Sequence, residues 1–265
     1  MPIDKEFVGQ VIDQSGGVLE KAYDDLAHPT AKSVGNTLSL VPRTIGVWLG
    51  KWEKWVINGE ESIRLTAEAV REKAEKIPEE KLTEPEPYVA IPVVQQLSYC
   101  YDSEELRELY ANLLVSSMNI DTKHYVYPSF VDIIKQLSPM DAKVLEAMKQ
   151  KQSALPAVTV RLNFKESKTF HELLIDYSID LFPLFGDTSI LCASLQNLDR
   201  LGIIKIRYDQ VVKPDERYNV FYEDAEYKGI VASFLGKENT DITLSKGLIE
   251  ITELGKAFCK SCCEN

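Results

Sequence analysis

Histidine is scarce in this chain of 265 residues: only His28, His124 and His171 occur, far apart and with no HExxH or HxH spacing. A metal-dependent hydrolase built on those signatures is therefore excluded. No GxGxxG or GxxxxGK[ST] glycine loop is present to cradle phosphates, and no GxSxG elbow presents a serine nucleophile. Long apolar runs are missing too. A spanning helix needs about 18 uninterrupted apolar residues, whereas the most apolar early run, Leu38 to Leu49, is short and contains Arg43. The opening Met1-Pro2-Ile3-Asp4-Lys5-Glu6 lacks the charged-then-apolar pattern of a secretory leader. These absences lead to the expectation of a cytoplasmic protein, with peripheral membrane contact left open.

Cysteine is present but poorly arranged for staples. Cys100, Cys192, Cys259, Cys262 and Cys263 make an odd set of five, a poor disulfide framework. Cys259-Lys260-Ser261-Cys262-Cys263 has the spacing of half a zinc site, but no second CxxC or HxxxH completes four ligands. The expectation is ordinary thiols on a terminal helix, with no metal and no cofactor. Positive charge is also short: 30 Lys and Arg stand against 41 Asp and Glu, a formal charge of −11. Broad coating of nucleic acid is thereby excluded, because phosphate binding requires uncompensated cations along one surface. Residues 1–150 hold 16 basic and 24 acidic side chains (−8), and residues 151–265 hold 14 and 17 (−3).

What is present is helical periodicity. Val41, Ile45, Trp48, Trp52 and Trp55 step by 4, 3, 4 and 3 and fall on one stripe of a helix. Such a stripe suits a core or subunit contact, a partner protein, or a membrane surface flanked by Arg43, Lys51 and Lys54. A charged helix follows to about Lys76, with Ile63, Ala67, Val70 and Ala74 inward, and Pro78 ends it. Asp102 and Glu105 are spaced as a capping box for a helix carrying Leu106, Leu109, Tyr110, Leu113 and Leu114. Glu104, Glu105 and Glu108 read as the wet face of that helix. Pro128 suits the first turn of the next helix, and Ser138-Pro139-Met140-Asp141 repeats the capping device.

After about residue 150 the period changes. Val158, Val160 and Leu162 alternate as a strand; Thr169 to Leu181 reads as a helix ended by Pro183 and Gly186. Asp187 caps a helix closed by Gly202, residues 203–206 and Tyr218 to Tyr222 read as strands, and Leu248 to Ile251 is another. Thr252 caps a last helix. The expected fold is mainly α: a helical N-terminal region, 1–137, followed by an α+β winged-helix-like C-terminal module, 138–265. In such a module the second helix reads DNA. Arg200, Lys205 and Arg207 are the candidate nucleic-acid contacts, although Asp209, Asp215 and Glu216 oppose the nearby cations.

Two stretches carry a family resemblance: Pro85 to Pro92 with Leu106 to Leu114 (PEPYVAIP and LRELYANLL), and Tyr127 to Ala142 (YPSFVDIIKQLSPMDA). They resemble the abortive infection alpha family over about residues 40–200. The resemblance implies a prokaryotic cytosolic protein in defence against bacteriophage and supplies no catalytic residue. With no coherent reaction centre, the expected role is a non-enzymatic sensor or scaffold that binds a protein partner or another copy of itself. The alternatives are a winged-helix DNA-binding regulator and a membrane-acting effector using the Trp48 helix.

Overall fold

The computed structural model describes residues 61–97, 103–151, 153–184 and 186–264. The stripe Val41, Ile45, Trp48, Trp52 and Trp55 lies outside them. Helices α1 (Glu61–Ala74), α2 (Pro87–Leu97), α3 (Glu104–Ser117), α4 (Ser129–Lys135) and α5 (Pro139–Lys151) come first. Strands β1 (Leu155–Phe164) and β2 (Thr169–Tyr177), helix α6 (Thr188–Arg200) and strand β3 (Ile204–Arg207) follow. Helices α7 (Asn219–Glu223) and α8 (Ala225–Phe234), strand β4 (Thr240–Ile251) and helix α9 (Glu253–Phe258) end the order, with a π-helical turn at Cys259–Cys263. The sheet is antiparallel throughout, in the order β2-β1-β4-β3.

The helical half is built on apolar spacing and caps. Ala67, Val70 and Ala74 of α1 are buried as their spacing requires. Helix α3 has Ser103 as its N-cap, accepting from the Leu106 N–H at 3.3 Å, one residue after the expected Asp102. Ser103 also donates to Glu105, and Lys143 of α5 sits 3.1 Å from the same carboxylate. A backbone N–H and that ammonium hold the Glu105 carboxyl below its usual range. Helix α2 carries Pro92 in its interior, where the missing N–H normally argues against a helix. Five buried side chains, among them Val89, Val93 and Leu97, hold it against the core nonetheless.

The box before α5 forms as its residues dictate. Ser138 Oγ accepts from the Asp141 N–H at 3.2 Å, and Asp141 Oδ2 accepts from the Ser138 N–H at 2.7 Å. Asp141 is buried and also accepts from Asn197 of α6 at 2.9 Å. One cap thus joins α5 to α6 and to the end of α4, where Asn197 donates to the Gln136 carbonyl.

Two segments differ from the sequence expectation. Residues 169–177 form the edge strand β2, not a helix. Val158 pairs with Tyr177, Val160 with Leu174 and Arg161 with Glu172, so β2 carries extra residues at two bulges. Those bulges break the period of two, and Phe170, Leu173 and Leu174 then imitate helical spacing. Residues 218–222 are helical rather than extended. Tyr218, Val220 and Tyr222 alternate in sequence, but Tyr218 and Phe221, three apart, are the buried pair. The order is therefore helix, strand, strand, helix, strand, helix, helix, strand, helix, in place of helix, strand, helix, helix, strand, strand, helix. The coarse reading holds: a mainly helical chain with a four-stranded antiparallel sheet in its C-terminal half.

Apart from Val160 and Leu162 of β1, the buried apolar residues described form one continuous cluster from Ala67 to Cys262. Its C-terminal end is tied to the helical half. Asn112 of α3 donates to the Cys262 carbonyl, and Ser116 to that of Ser261, both at 2.8 Å. These bonds account for polar side chains on the buried face of α3, since the last carbonyls of a helix lack partners within it.

Candidate functional site

The connection between β3 and β4 runs from residue 208 to 239 and holds α7 and α8. It is anchored by Tyr218, whose hydroxyl accepts from the Val212 N–H at 2.9 Å and donates to the Gly247 carbonyl at 2.6 Å. Asp224 caps α8, accepting from the N–H groups of Glu226 and Tyr227, and accepts from the Tyr177 hydroxyl at 3.3 Å. Burial, followed by the Asp224 charge, pushes the Tyr177 hydroxyl well above its ordinary pKa. It therefore stays a proton donor at neutral pH.

Past this anchor the side chains turn outward. Helix α8, AEYKGIVASF, is apolar in composition yet has no fully buried residue: Tyr227, Ile230, Val231 and Phe234 are half-buried. Leu235 just beyond it is 83% exposed, and Val220 and Tyr222 of α7 are 47% and 42% exposed. A shallow, mostly apolar cleft of about 550 Å³ lies alongside, lined by Ile179, Asn219, Val220, Glu223, Asp224 and Ala225. Apolar residues gathered on one insertion, with a carboxylate rim, are what a protein-binding surface presents. Sequence reading missed this face because 218–222 was read as a strand and α8 was not recognised.

A polar cluster sits at the β2 bulge between Leu174 and Tyr177. Asp176 has φ +59°, a left-handed conformation unusual for aspartate. Its carboxylate accepts from Tyr208 at 2.9 Å and from Gln196 at 3.2 Å. Tyr208 also meets Thr159 Oγ1 at 2.6 Å. Burial and the nearby Asp176 hold the Tyr208 hydroxyl in its neutral form, and the same two causes push the Cys192 thiol up to about 12. A neutral phenol and a neutral thiol around a hydrogen-bonded carboxylate offer no activated nucleophile. The cluster fixes the bulge and the start of the long connection.

The candidate DNA contacts are all engaged within the chain. Arg200 donates to Asn197 Oδ1 and to Gln136 Oε1. Lys205 lies 3.5 Å from Asp199, and Arg207 lies 2.7 Å from Asp209 and 3.6 Å from Glu250. Lys213 and Arg217 face Asp215 and Asp180. Of the expected wet face of α3, Glu105 and Glu108 meet Lys143 and Lys73. His124 lies tilted against the Tyr125 ring, and His171 meets Phe164 edge-on on the exposed strand β2. Among the described residues no group of three His, Cys, Asp or Glu is placed to hold a metal ion, and no helix is long and apolar enough to cross a membrane.

No curated protein and no solved structure matches the chain. A family model does: abortive infection alpha, over residues 58–262. That span runs from the start of α1 into the terminal π turn and includes both stretches quoted above, so the chain belongs to the abortive infection alpha family.

Proposed function

We propose that this protein acts in abortive infection, the bacterial defence against phage, as a non-enzymatic sensor or scaffold that works by binding another protein. The observation that carries the reading is the group of exposed apolar side chains Val220, Tyr222 and Leu235, beside the half-buried apolar residues of α8 and a cleft that Glu223 and Asp224 help to line. Leaving several apolar side chains in water forgoes roughly 25 cal/mol for each Å² that a partner would cover. Family membership supports the defence role. The pairing of Arg200, Lys205 and Arg207 with acceptors of the chain favours a protein partner over a phosphate backbone. We read α5, α6 and the β3–β4 pair as a winged-helix-like arrangement in which α7 and α8 replace the tip of the wing. Such a module binds proteins as readily as DNA, and its fold alone selects neither.

Light scattering on the purified chain, alone and with proteins that co-purify from phage-infected cells, tests the reading. A stoichiometric complex is expected, whether with a second copy or another protein. Leu235→Asp together with Val220→Asp should weaken it at least tenfold while leaving the melting temperature unchanged, because both side chains are exposed. A monomer without a stoichiometric partner, before and during infection, contradicts it.

A further inference from the structure

Strand β2 leaves the long edge of the sheet open. It pairs with β1 on one side, and among the described residues no strand lies on the other. Residues 169–173 are exposed in unbroken succession, so neither face nor outer edge of this stretch is covered. Natural sheets guard a long edge with lysine, proline or bulges. Thr169–Tyr177 contains no lysine or proline, and both bulges fall after Glu172. Thr169 to Glu172 is therefore a regular, unguarded edge, with Phe170 exposed upon it.

The register fixes which backbone groups point out. The Lys165 N–H donates to the Asn239 carbonyl at 2.9 Å, in line with the pairing of Asn163 with Asp241 and Arg161 with Thr243. Backbone groups alternate in direction along a strand, so Leu162 and Phe164 turn theirs toward β2. Their partners His171 and Thr169 are bonded inward. The N–H and C=O of Phe170 and Glu172 then point away from the sheet. A twofold axis at His171 sets Phe170 of one copy opposite Glu172 of another, twice, and each such pair exchanges two hydrogen bonds.

We propose that β2 pairs with β2 of a second copy of this chain, antiparallel about a twofold axis at His171, joining two four-stranded sheets into one. Charge suits a second copy at this edge, although the chain carries −11 in all. The Arg161 guanidinium lies 4.5 Å over the Phe170 ring and 2.9 Å from Glu172. These three residues share one face, so the axis alternates Arg161 and Glu172 of one copy with those of the other. The same register brings the turn at 165–168, with Lys165 and Lys168 against Glu166, alongside the bulged end of the other β2, which carries Asp176. The bulges past Glu172 end the ladder. The outer edge left on each side is β3, only four residues long, so the assembly closes as a dimer.

Light scattering over a concentration series, with hydrogen exchange on the same full-length chain, tests the pairing. The parent should dimerise, and the Phe170 and Glu172 amides should exchange at least tenfold more slowly in the dimer than in the dilute monomer. Phe170→Glu keeps a partner for Arg161 within the chain but meets the like charge of Glu172 across the axis. It should raise the dissociation constant at least tenfold with an unchanged circular dichroism spectrum. Val220→Asp on α7 should leave that constant unchanged, which separates this edge from the docking surface of α7 and α8. Opposed residues at the axis stand about 4.5 Å apart at Cα, inside the range of a disulfide. His171→Cys should therefore oxidise to a linked dimer, and Ser167→Cys in the turn should not. A parent that is monomeric at every concentration, a dimer that Phe170→Glu leaves intact, or linkage at Ser167→Cys in preference to His171→Cys would each overturn the proposal.

Discussion

Replacing Gly255 by alanine should destabilise the protein by about 3 kcal/mol or more, the cost of overpacking a site with no room. Helix propensity alone gives the opposite sign, because alanine is favoured over glycine inside a helix by roughly 1 kcal/mol. The local geometry decides. A Cβ on Gly255 would overlap the Ile203 carbonyl oxygen and stand 2.8 Å from Ile251 Cγ2. The Ile203 backbone cannot step aside, because its carbonyl accepts from the Thr252 N–H and its N–H is bonded to Leu198. Gly229 in α8 is the internal control, since a Cβ there meets nothing within 4 Å. Gly229→Ala should therefore stabilise by up to about 1 kcal/mol. Urea unfolding of the two variants measures both signs; equal effects of one sign would show that Gly255 is not packed as described.

Asp141→Ala should cost about 3 kcal/mol. Loss of a capping hydrogen bond costs about 0.5–2 kcal/mol, and a hydrogen bond to a charged group is worth about 1.5–3 kcal/mol. Asp141 Oδ2 supports two donors from different elements, the Ser138 N–H and the Asn197 amide, in a site only 2% exposed. Removing it takes an acceptor from each of these two part-buried donors. Asp141→Asn keeps an acceptor oxygen and should lose only about 1 kcal/mol. Asn197→Ala in the Asp141→Ala background should cost less than it does alone, because the two side chains share the bond. Additive losses in unfolding experiments would place the two residues in separate interactions.

These sites show what was legible in the sequence. Local chemistry was: the Ser138–Asp141 box, the Asp187 and Thr252 caps and the Gly202 turn (φ +75°) all form where their residue types place them. Each depends on atoms three or four residues apart. Long-range pairing was less visible. Two bulges in β2 turned a strand into an apparent helix, and in α7 the exposed Val220 and Tyr222 supplied a false alternation. The demand on Gly255 comes from Ile203, more than fifty residues earlier, and leaves no local signal. The candidate surface on α8 was illegible for a related reason. Its apolar residues look like core by composition, and only the packing of the other elements leaves them half-buried, with Leu235 beyond them exposed. The family itself was legible through Pro85–Leu114 and Tyr127–Ala142, which lie inside the matched span.

We propose that the exposed apolar side chains around α7 and the end of α8, Val220 and Leu235 among them, are where this protein acts in defence. Phage plating on a bacterial host expressing the full-length chain measures this, with Leu235→Asp plus Val220→Asp as the comparison. The expected result is a fall in plating efficiency of at least tenfold with the parent chain and full plating with the variant at equal expression and unchanged melting temperature. Equal protection by the folded variant, or none by the parent against any phage to which its native host is resistant, would contradict it.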